Sequence, residues 1–263
     1  MKKTAIITLT FNKLEEATKP FLNSLYEFTP ENDFDLIIVD NGSKDGTKEF
    51  LQEFSSKYKN IKLIFNEENL GYSKGNNIGI KEALKGDYGY IGLLNNDILF
   101  TPDWLKDTLN FFNKDEKIGL ISPRIQKKKE VSIENYLTKY KSFLAKYKNN
   151  LRYTIEPLFC CVLAKKEVIE KIGLLDENFT PAFFEDNDYC FRTLYQGFRL
   201  AICNRTFVFH NHSTTSKSIS NEIFERNKKY FFEKHPLGKY IFDHKKSNII
   251  KDILGYIKEA KER

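Results

Sequence analysis

Five short stretches of the 263-residue chain combine residue types that could do chemistry. Asp40-Asn41-Gly42-Ser43-Lys44-Asp45-Gly46-Thr47 follows an apolar run and offers a carboxylate, Asp40, able to accept from a base or ribose. Asn69-Leu70-Gly71-Tyr72-Ser73-Lys74-Gly75-Asn76 is a glycine-rich entry into a helix. There, backbone N–H groups and the positive end of the helix dipole can meet phosphate, and Lys74 adds a charge. Asn95-Asn96-Asp97 ends another apolar run; a single carboxylate there suits a hard divalent cation completed by phosphate oxygens and water. Glu185-Asp186-Asn187-Asp188 opens a helix after Phe183-Phe184, and one desolvated acid among them could serve as a general base. Phe207-Val208-Phe209-His210-Asn211-His212 puts two histidines at a strand end. Each stretch also has an ordinary structural reading: turn chemistry, a capped helix start, or acids stabilising a helix N-terminus.

Positioning these residues requires strands and helices in alternation, and the hydrophobic pattern supplies them. Apolar runs at 5–11, 35–40, 61–65, 88–94 and 118–122 predict buried strands. Amphipathic spacing predicts helices after residue 14 (with Pro20 bending or splitting the first), over 47–57 with Thr47 as N-cap, and over 76–85. A further helix should begin after Thr101 as N-cap, with Pro102 in its first position. This alternation implies an α/β domain with a mostly parallel sheet covered on both faces, and ligands at the carboxyl ends of its strands. Farther along, 159–164 reads as a strand, 165–172 and 186–196 as helices, and the chain from 221 as helical with a break near Pro236. Residues 124–157 are polar and rich in Lys, Tyr and Asn, as in an insertion.

Other classes fall away. Glycines at 71, 75 and 79 do not fit G-x-G-x-x-G, no Walker-type G-K-[ST] occurs, and an EF-hand register would place Gln52 where Glu belongs. No nucleic-acid recognition motif is present. No apolar run approaches the ~20 residues that span a bilayer. The basic, apolar start at Met1–Phe11 mimics a signal peptide but lacks a cleavage site and reads as a first strand. Cys160, Cys161, Cys190 and Cys203 have no zinc spacing and read as free thiols in a reducing cytosol.

Taken in order, these motifs resemble the inverting family-2 glycosyltransferases of GT-A fold, over about Ala5 to Ser216. The match is most detailed in Gly173-Leu174-Leu175-Asp176-Glu177-Asn178-Phe179 and the following Glu185-Asp186-Asn187-Asp188-Tyr189-Cys190-Phe191-Arg192, which is similar to the rhamnosyltransferase-like branch of bacterial surface-polysaccharide assembly. The resemblance implies Thr8, Thr10 and Asn12 at the nucleotide-facing end of the first strand and Asp40 on the base. It implies that Asn69, Gly71, Gly75 and Asn76, with Lys74 and Asn96, shape the sugar-nucleotide pocket. Asp97 would be the metal ligand at the family's D-x-D position, His210 would complete a Mg²⁺ or Mn²⁺ site, and Asp186 would be the catalytic base with Glu185 beside it. Asn95 replaces the first carboxylate of that motif, lowering the charge offered to a metal, while Lys74 stands where a small residue is common.

The resemblance further implies a glycosyltransferase domain over 1–220, divided at about residue 100 into a nucleotide-sugar half and an acceptor half, with 221–263 a helical extension. A UDP- or dTDP-linked sugar would be the donor, and a saccharide or lipid-linked glycan the acceptor. The alternatives are a nucleotide-sugar-binding pseudoenzyme and a sugar-1-phosphate nucleotidyltransferase; the latter lacks its basic glycine-rich loop after the first strand. The net charge of +6 is concentrated in residues 124–152 and 221–263, leaving the motif-bearing remainder net negative. That distribution favours an anionic acceptor or peripheral contact with the cytoplasmic membrane face. The apolar positions of the tail suit such contact, packing on the core, or a homodimer.

Overall fold

A computed structural model describes residues 2–127, 142, 151–155, 159–210 and 220–239. Its first half realises the expected alternation. Strand β1 (Thr4–Thr10) is followed by a wide π-helical turn over Leu14–Thr18 and helix α1 (Lys19–Phe28). Pro20 sits in the first turn of α1, where a missing N–H costs nothing, so it divides the segment at that point. Then come β2 (Phe34–Asp40), α2 (Thr47–Ser55), β3 (Ile61–Phe65), α3 (Tyr72–Leu84), β4 (Tyr90–Asn95), the short β5 (Ile98–Leu99) and α4 (Trp104–Leu109). The second half comprises β6 (Ile118–Lys127), β7 (Leu151–Thr154), β8 (Cys161–Lys165), α5 (Lys166–Ile172), α6 (Glu185–Tyr195), β9 (Arg199–His210) and α7 (Asn221–Lys234).

The strands form one sheet in the order β3-β2-β1-β4-β8-β6-β9-β5, with β7 also on β9. Pairing is parallel across β3-β2-β1-β4 and again between β6 and β9; β8, β5 and β7 run antiparallel to their neighbours. The chain moves outward from β1 through β2 to β3, then returns to β4 on the other side of β1. A crevice therefore opens at the carboxyl ends of β1 and β4, the switch point where α/β sheets take ligands. Registers Thr10↔Asp40 and Leu9↔Asn95 set three of the predicted motifs abreast there.

Two cores cover the sheet. Ala5, Ile7, Ile37 and Val39 face α3, α5, α6 and α7 through Ile80, Ile169, Phe191 and Phe231. Ile6, Leu36 and Ile38 face α1, α2 and α4 through Phe21, Leu51 and Trp104. Trp104 is fully buried, and its indole N–H donates to Thr29 Oγ1 at 2.8 Å, so the ring costs no unsatisfied donor.

Three expected helix starts shift for local reasons. Thr101 does not cap α4: its hydroxyl donates to the Phe207 carbonyl at 2.5 Å, and the cap position passes to Asp103 at φ 58°. Thr47 does not cap α2; Asp45 Oδ1 accepts from both the Thr47 amide, at 3.2 Å, and its hydroxyl, at 2.6 Å. Helix α3 begins four residues earlier than the pattern suggests, because Gly71 at φ 81° makes the turn that launches it.

Among the described residues no helix is long and apolar enough to cross a membrane. Most of the 124–157 insertion, His212, and the tail beyond residue 239 lie outside the described residues.

Candidate active site

The site is built from loops at the carboxyl edge of the sheet. The loop after β2 is braced by Asp40, which is 2% exposed and accepts from the Thr10 hydroxyl at 2.8 Å and the Ser43 amide at 3.0 Å. Asn12, at φ 52°, clasps that loop to the one after β1: its amide donates to Ser43 Oγ at 2.7 Å, and its Oδ1 accepts from the Lys44 amide at 2.8 Å. A chain of amides continues to the glycine-rich loop. Asn66 donates to Asn41, Asn41 donates to Asn69 Oδ1 and the Gly71 carbonyl, each at 3.2 Å, and the Gly71 amide donates to Asn69 Oδ1 at 3.0 Å. Asn41 carries this network from a buried position.

Several predicted donor-pocket residues have structural employment. Thr8 is buried, 1% exposed, within β1 two residues back from its end. Gly75 lets α3 lie against β1: an added Cβ would come within 2.6 Å of Leu9 Cδ1. Asn76 donates to the Tyr72 carbonyl at 2.9 Å, and Asn96 to Thr18 Oγ1 at 3.1 Å, tying the end of β4 to the turn that precedes α1. Lys74 is exposed on the first turn of α3.

Two charged pairs stand on the far side of the crevice. The two-residue β5 pairs Ile98 with His210, which sets His210 Nε2 3.1 Å from Asp97 Oδ1. Burial works against a charge on this imidazole, but hydrogen bonding to Asp97 and Cys160 outweighs it and holds the pKa up at about 10. The second pair opens α6. Phe183 and Phe184 both take left-handed conformations, φ 81° and 71°, unusual for bulky residues and of the kind stored at functional sites. They deliver Glu185, 7% exposed and with Oε2 unpartnered, beside the half-buried Asp186. Burial, then the neighbouring Asp186 charge, pushes Glu185 well above the usual carboxylate range; burial also raises Asp186.

Tyr72 joins the two pairs. Its hydroxyl donates to Asn95 Oδ1 at 3.4 Å. Burial first, then the charges of Glu185, Asp186, Cys160 and Asp97, keep the phenol protonated. In the sequence Tyr72, Asn41 and Asn77 stand within the motif stretches with no role of their own. Asn77, buried in α3, donates to the Leu175 carbonyl and accepts from the Leu175 amide, each at 2.9 Å, holding the loop before α6. Their only sequence signal was position inside or beside a glycine-rich motif.

Asp188 is not an active-site acid. It is fully buried and receives Arg192 at 2.8 Å, Lys234 at 2.7 Å and His235 at 2.8 Å. Arg192 also donates to the Ile172 and Leu174 carbonyls, at 3.0 and 2.9 Å, so the end of the E-D-x-D-x-x-x-R stretch is a lock between α6 and the loop before it.

A mixed sheet whose switch point gathers a braced Asp loop, an Asp–His pair and a buried Glu–Asp pair defines a GT-A glycosyltransferase. The sequence profile of glycosyl transferase family 2 matches residues 5–173, and the chain belongs to that family. It is 24% identical to chondroitin synthase of Escherichia coli over 245 residues, covering 77% of this chain and 35% of that protein. Among solved structures it superposes on GalNAc-T7 with UDP, GalNAc and Mn²⁺ at a TM-score of 0.68, with 16% identity, 93% of this chain and 55% of the other. It superposes on the mannosyltransferase PcManGT from Pyrobaculum calidifontis, in complex with GDP-Man and Mn²⁺, at 0.61, with 16% identity, 81% of this chain and 58% of the other. The chain spans 26% and 35% of the lengths of the first two curated relatives it matches.

Asp97 and His210 fit a divalent cation in part. A carboxylate oxygen beside an imidazole nitrogen would suit Mn²⁺ at least as well as Mg²⁺, the ring giving up its proton as the metal binds. Among the described residues no cluster of three or more His, Cys, Asp or Glu could hold a metal by itself. Diphosphate oxygens and water would have to complete the shell.

Proposed function

We propose that this chain is an inverting, nucleotide-sugar-dependent glycosyltransferase that extends a saccharide or lipid-linked glycan of a bacterial surface polysaccharide, with Asp186 as base. The observation that carries the reading is the convergence of the Asp97–His210 pair and the Glu185–Asp186 pair around Tyr72 at the β1/β4 switch point. The donor is a UDP- or dTDP-sugar seated on the Asp40 loop and the Asn69–Gly71 turn. The positive charge of residues 124–152 and of the tail favours an anionic acceptor or contact with the cytoplasmic membrane face.

The chemistry is one in-line displacement. The acceptor hydroxyl oxygen forms a bond to the anomeric carbon as its proton passes to Asp186. The bond from that carbon to the diphosphate oxygen breaks, and its electron pair leaves with the nucleoside diphosphate. Attack opposite the leaving group inverts the anomeric centre. Burial raises both carboxyls, with the Asp186 charge adding to it at Glu185, which brings a base in this pair closer to neutral pH than a free carboxylate. A cation on Asp97 and His210 supplies positive charge to the leaving diphosphate when bound.

Asp186→Asn decides the reading: sugar transfer should fall at least about a thousandfold while the donor still raises the melting temperature. Undiminished transfer by that variant refutes the base. Thermal shifts with UDP-, dTDP- and GDP-sugars, each with and without Mn²⁺, identify the base and the metal requirement.

A further inference from the structure

The strained turn that launches the two acids is held from outside the donor half. Phe183 and Phe184 sit at positive φ, and their conformation sets where Glu185 and Asp186 point. The carbonyls of Ala182 and Phe183 are both taken by one side chain of α7: Asn227, 1% exposed, donates from Nδ2 to the Ala182 carbonyl at 2.9 Å and the Phe183 carbonyl at 3.3 Å. Asn227 is itself fixed, because its Oδ1 accepts from Arg226 Nη2 at 2.9 Å and Nε at 3.1 Å, and Arg226 also donates to the Thr180 carbonyl. The same loop faces the donor side, where the Tyr72 amide donates to the Pro181 carbonyl at 2.8 Å. An added Cβ on Gly71 would meet that carbonyl at 3.0 Å. Residues 180–184 are therefore held between the glycine-rich loop on one side and α7 on the other.

We infer that Asn227 is a positioning residue for the reaction: its amide clamps the left-handed Phe183–Phe184 turn and thereby aims Asp186 at the acceptor hydroxyl. The inference rests on the reading of Asp186 as base and adds α7 to the parts that reading requires. Two further contacts make α7 a rigid mount. Phe231 is fully buried against Phe184 and Phe191, with ring centroids 5.5 and 5.4 Å away, and Lys234 and His235 grip Asp188 one turn into α6.

Asn227→Leu keeps the volume and removes the donor, and Asn227→Gln keeps an amide on a longer stem. With the Leu variant, kcat should fall about a hundredfold, the cost of a misaimed group, while the donor KM changes less than threefold. The Gln variant should recover part of kcat. A merely structural role would lower stability and active fraction without this split, and would not distinguish Leu from Gln after normalisation to folded protein. Unchanged kcat per folded molecule, or an equal loss in kcat and donor affinity, overturns the inference. If the Leu variant does not fold, Asn227→Ser supplies the same comparison. Asp186→Asn runs alongside: full activity there fails the base reading itself, whereas a dead Asp186→Asn beside an unaffected Asn227→Leu fails only the positioning role.

Discussion

Replacing Asp188 by Asn should separate scaffold from chemistry within a motif that looks uniformly catalytic. The side chain is fully buried and meets the Arg192 and Lys234 cations and the His235 ring at 2.7–2.8 Å. Burial alone would raise its pKa; the His235 hydrogen bond and the charges of Arg192 and Lys234 outweigh that and hold it below the ordinary 3.8. Removing one partner of a buried ion network costs about 3–5 kcal/mol. Arg192 and Lys234 keep 21% and 29% side-chain exposure, so water recovers part of their solvation and the lower end, about 3 kcal/mol, applies. For a domain of this size that is a drop in melting temperature of about 6–12 °C. The pH dependence follows from the sign of the shift. A depressed carboxyl contributes stability that is fully present above its unfolded pKa and is lost as pH falls through the folded one. Asn does not titrate, so the gap between wild type and variant should hold from pH 7 to about pH 5 and narrow below pH 4. Thermal melts followed by circular dichroism across that range make the measurement. A melting point within about 2 °C of wild type at pH 7, or a gap that does not narrow in acid, would refute the network as the source of stability.

Gly79→Ala tests helix–sheet packing: the new methyl would lie 2.4 Å from Ile7 Cγ2. Overpacking of about 1–3 kcal/mol less about 1 kcal/mol of helix propensity predicts a net loss of up to about 2 kcal/mol, read by urea unfolding. Asp97→Asn should remove the Mn²⁺-dependent part of the thermal shift given by a UDP-sugar while leaving the metal-independent part; an undiminished Mn²⁺ effect would move the metal elsewhere.

The donor half of the fold was legible because each strand is a short apolar run and each motif follows one directly, as in Ile38-Val39-Asp40 and Leu93-Leu94-Asn95. The short β5 was not legible, since two residues carry no periodicity, yet its pairing with β9 is what sets His210 beside Asp97. β7 was hidden in a polar stretch whose strand character depends on its partner β9. Capping was misread at Thr47 and Thr101 for one reason: a threonine hydroxyl takes the nearest strong partner, and here that partner lay in Asp45 or in β9. Motif residues were recognised more readily than their roles. Asp40 and Asn12 are occupied by hydrogen bonds between the loops and Asn76 by one within α3, while Tyr72, on which the charges of Asp97, Glu185 and Asp186 act, is marked in the sequence only by its place in a glycine-rich motif.

The charge of the tail takes on a different meaning once α7 is placed. Its basic residues contribute to the excess that suggested an anionic surface, but several are committed within the domain. Lys234 sits 2.6 Å from Asp176 and 2.7 Å from Asp188, and Arg226 is hydrogen-bonded to Asn227 and Thr180. Lys228 and Lys229 face Glu225 and Glu233 on their own helix, where exposed pairs contribute little to stability and leave both charges open to solvent. On the part of α7 that meets the core, Lys234 is therefore neutralised by Asp176 and Asp188, and Arg226 is engaged by neutral groups. Neutralising the exposed Lys228 and Lys229 tests the surface reading without disturbing the mount: vesicles of anionic lipid should bind the double alanine variant more weakly, and activity on a soluble acceptor should not change.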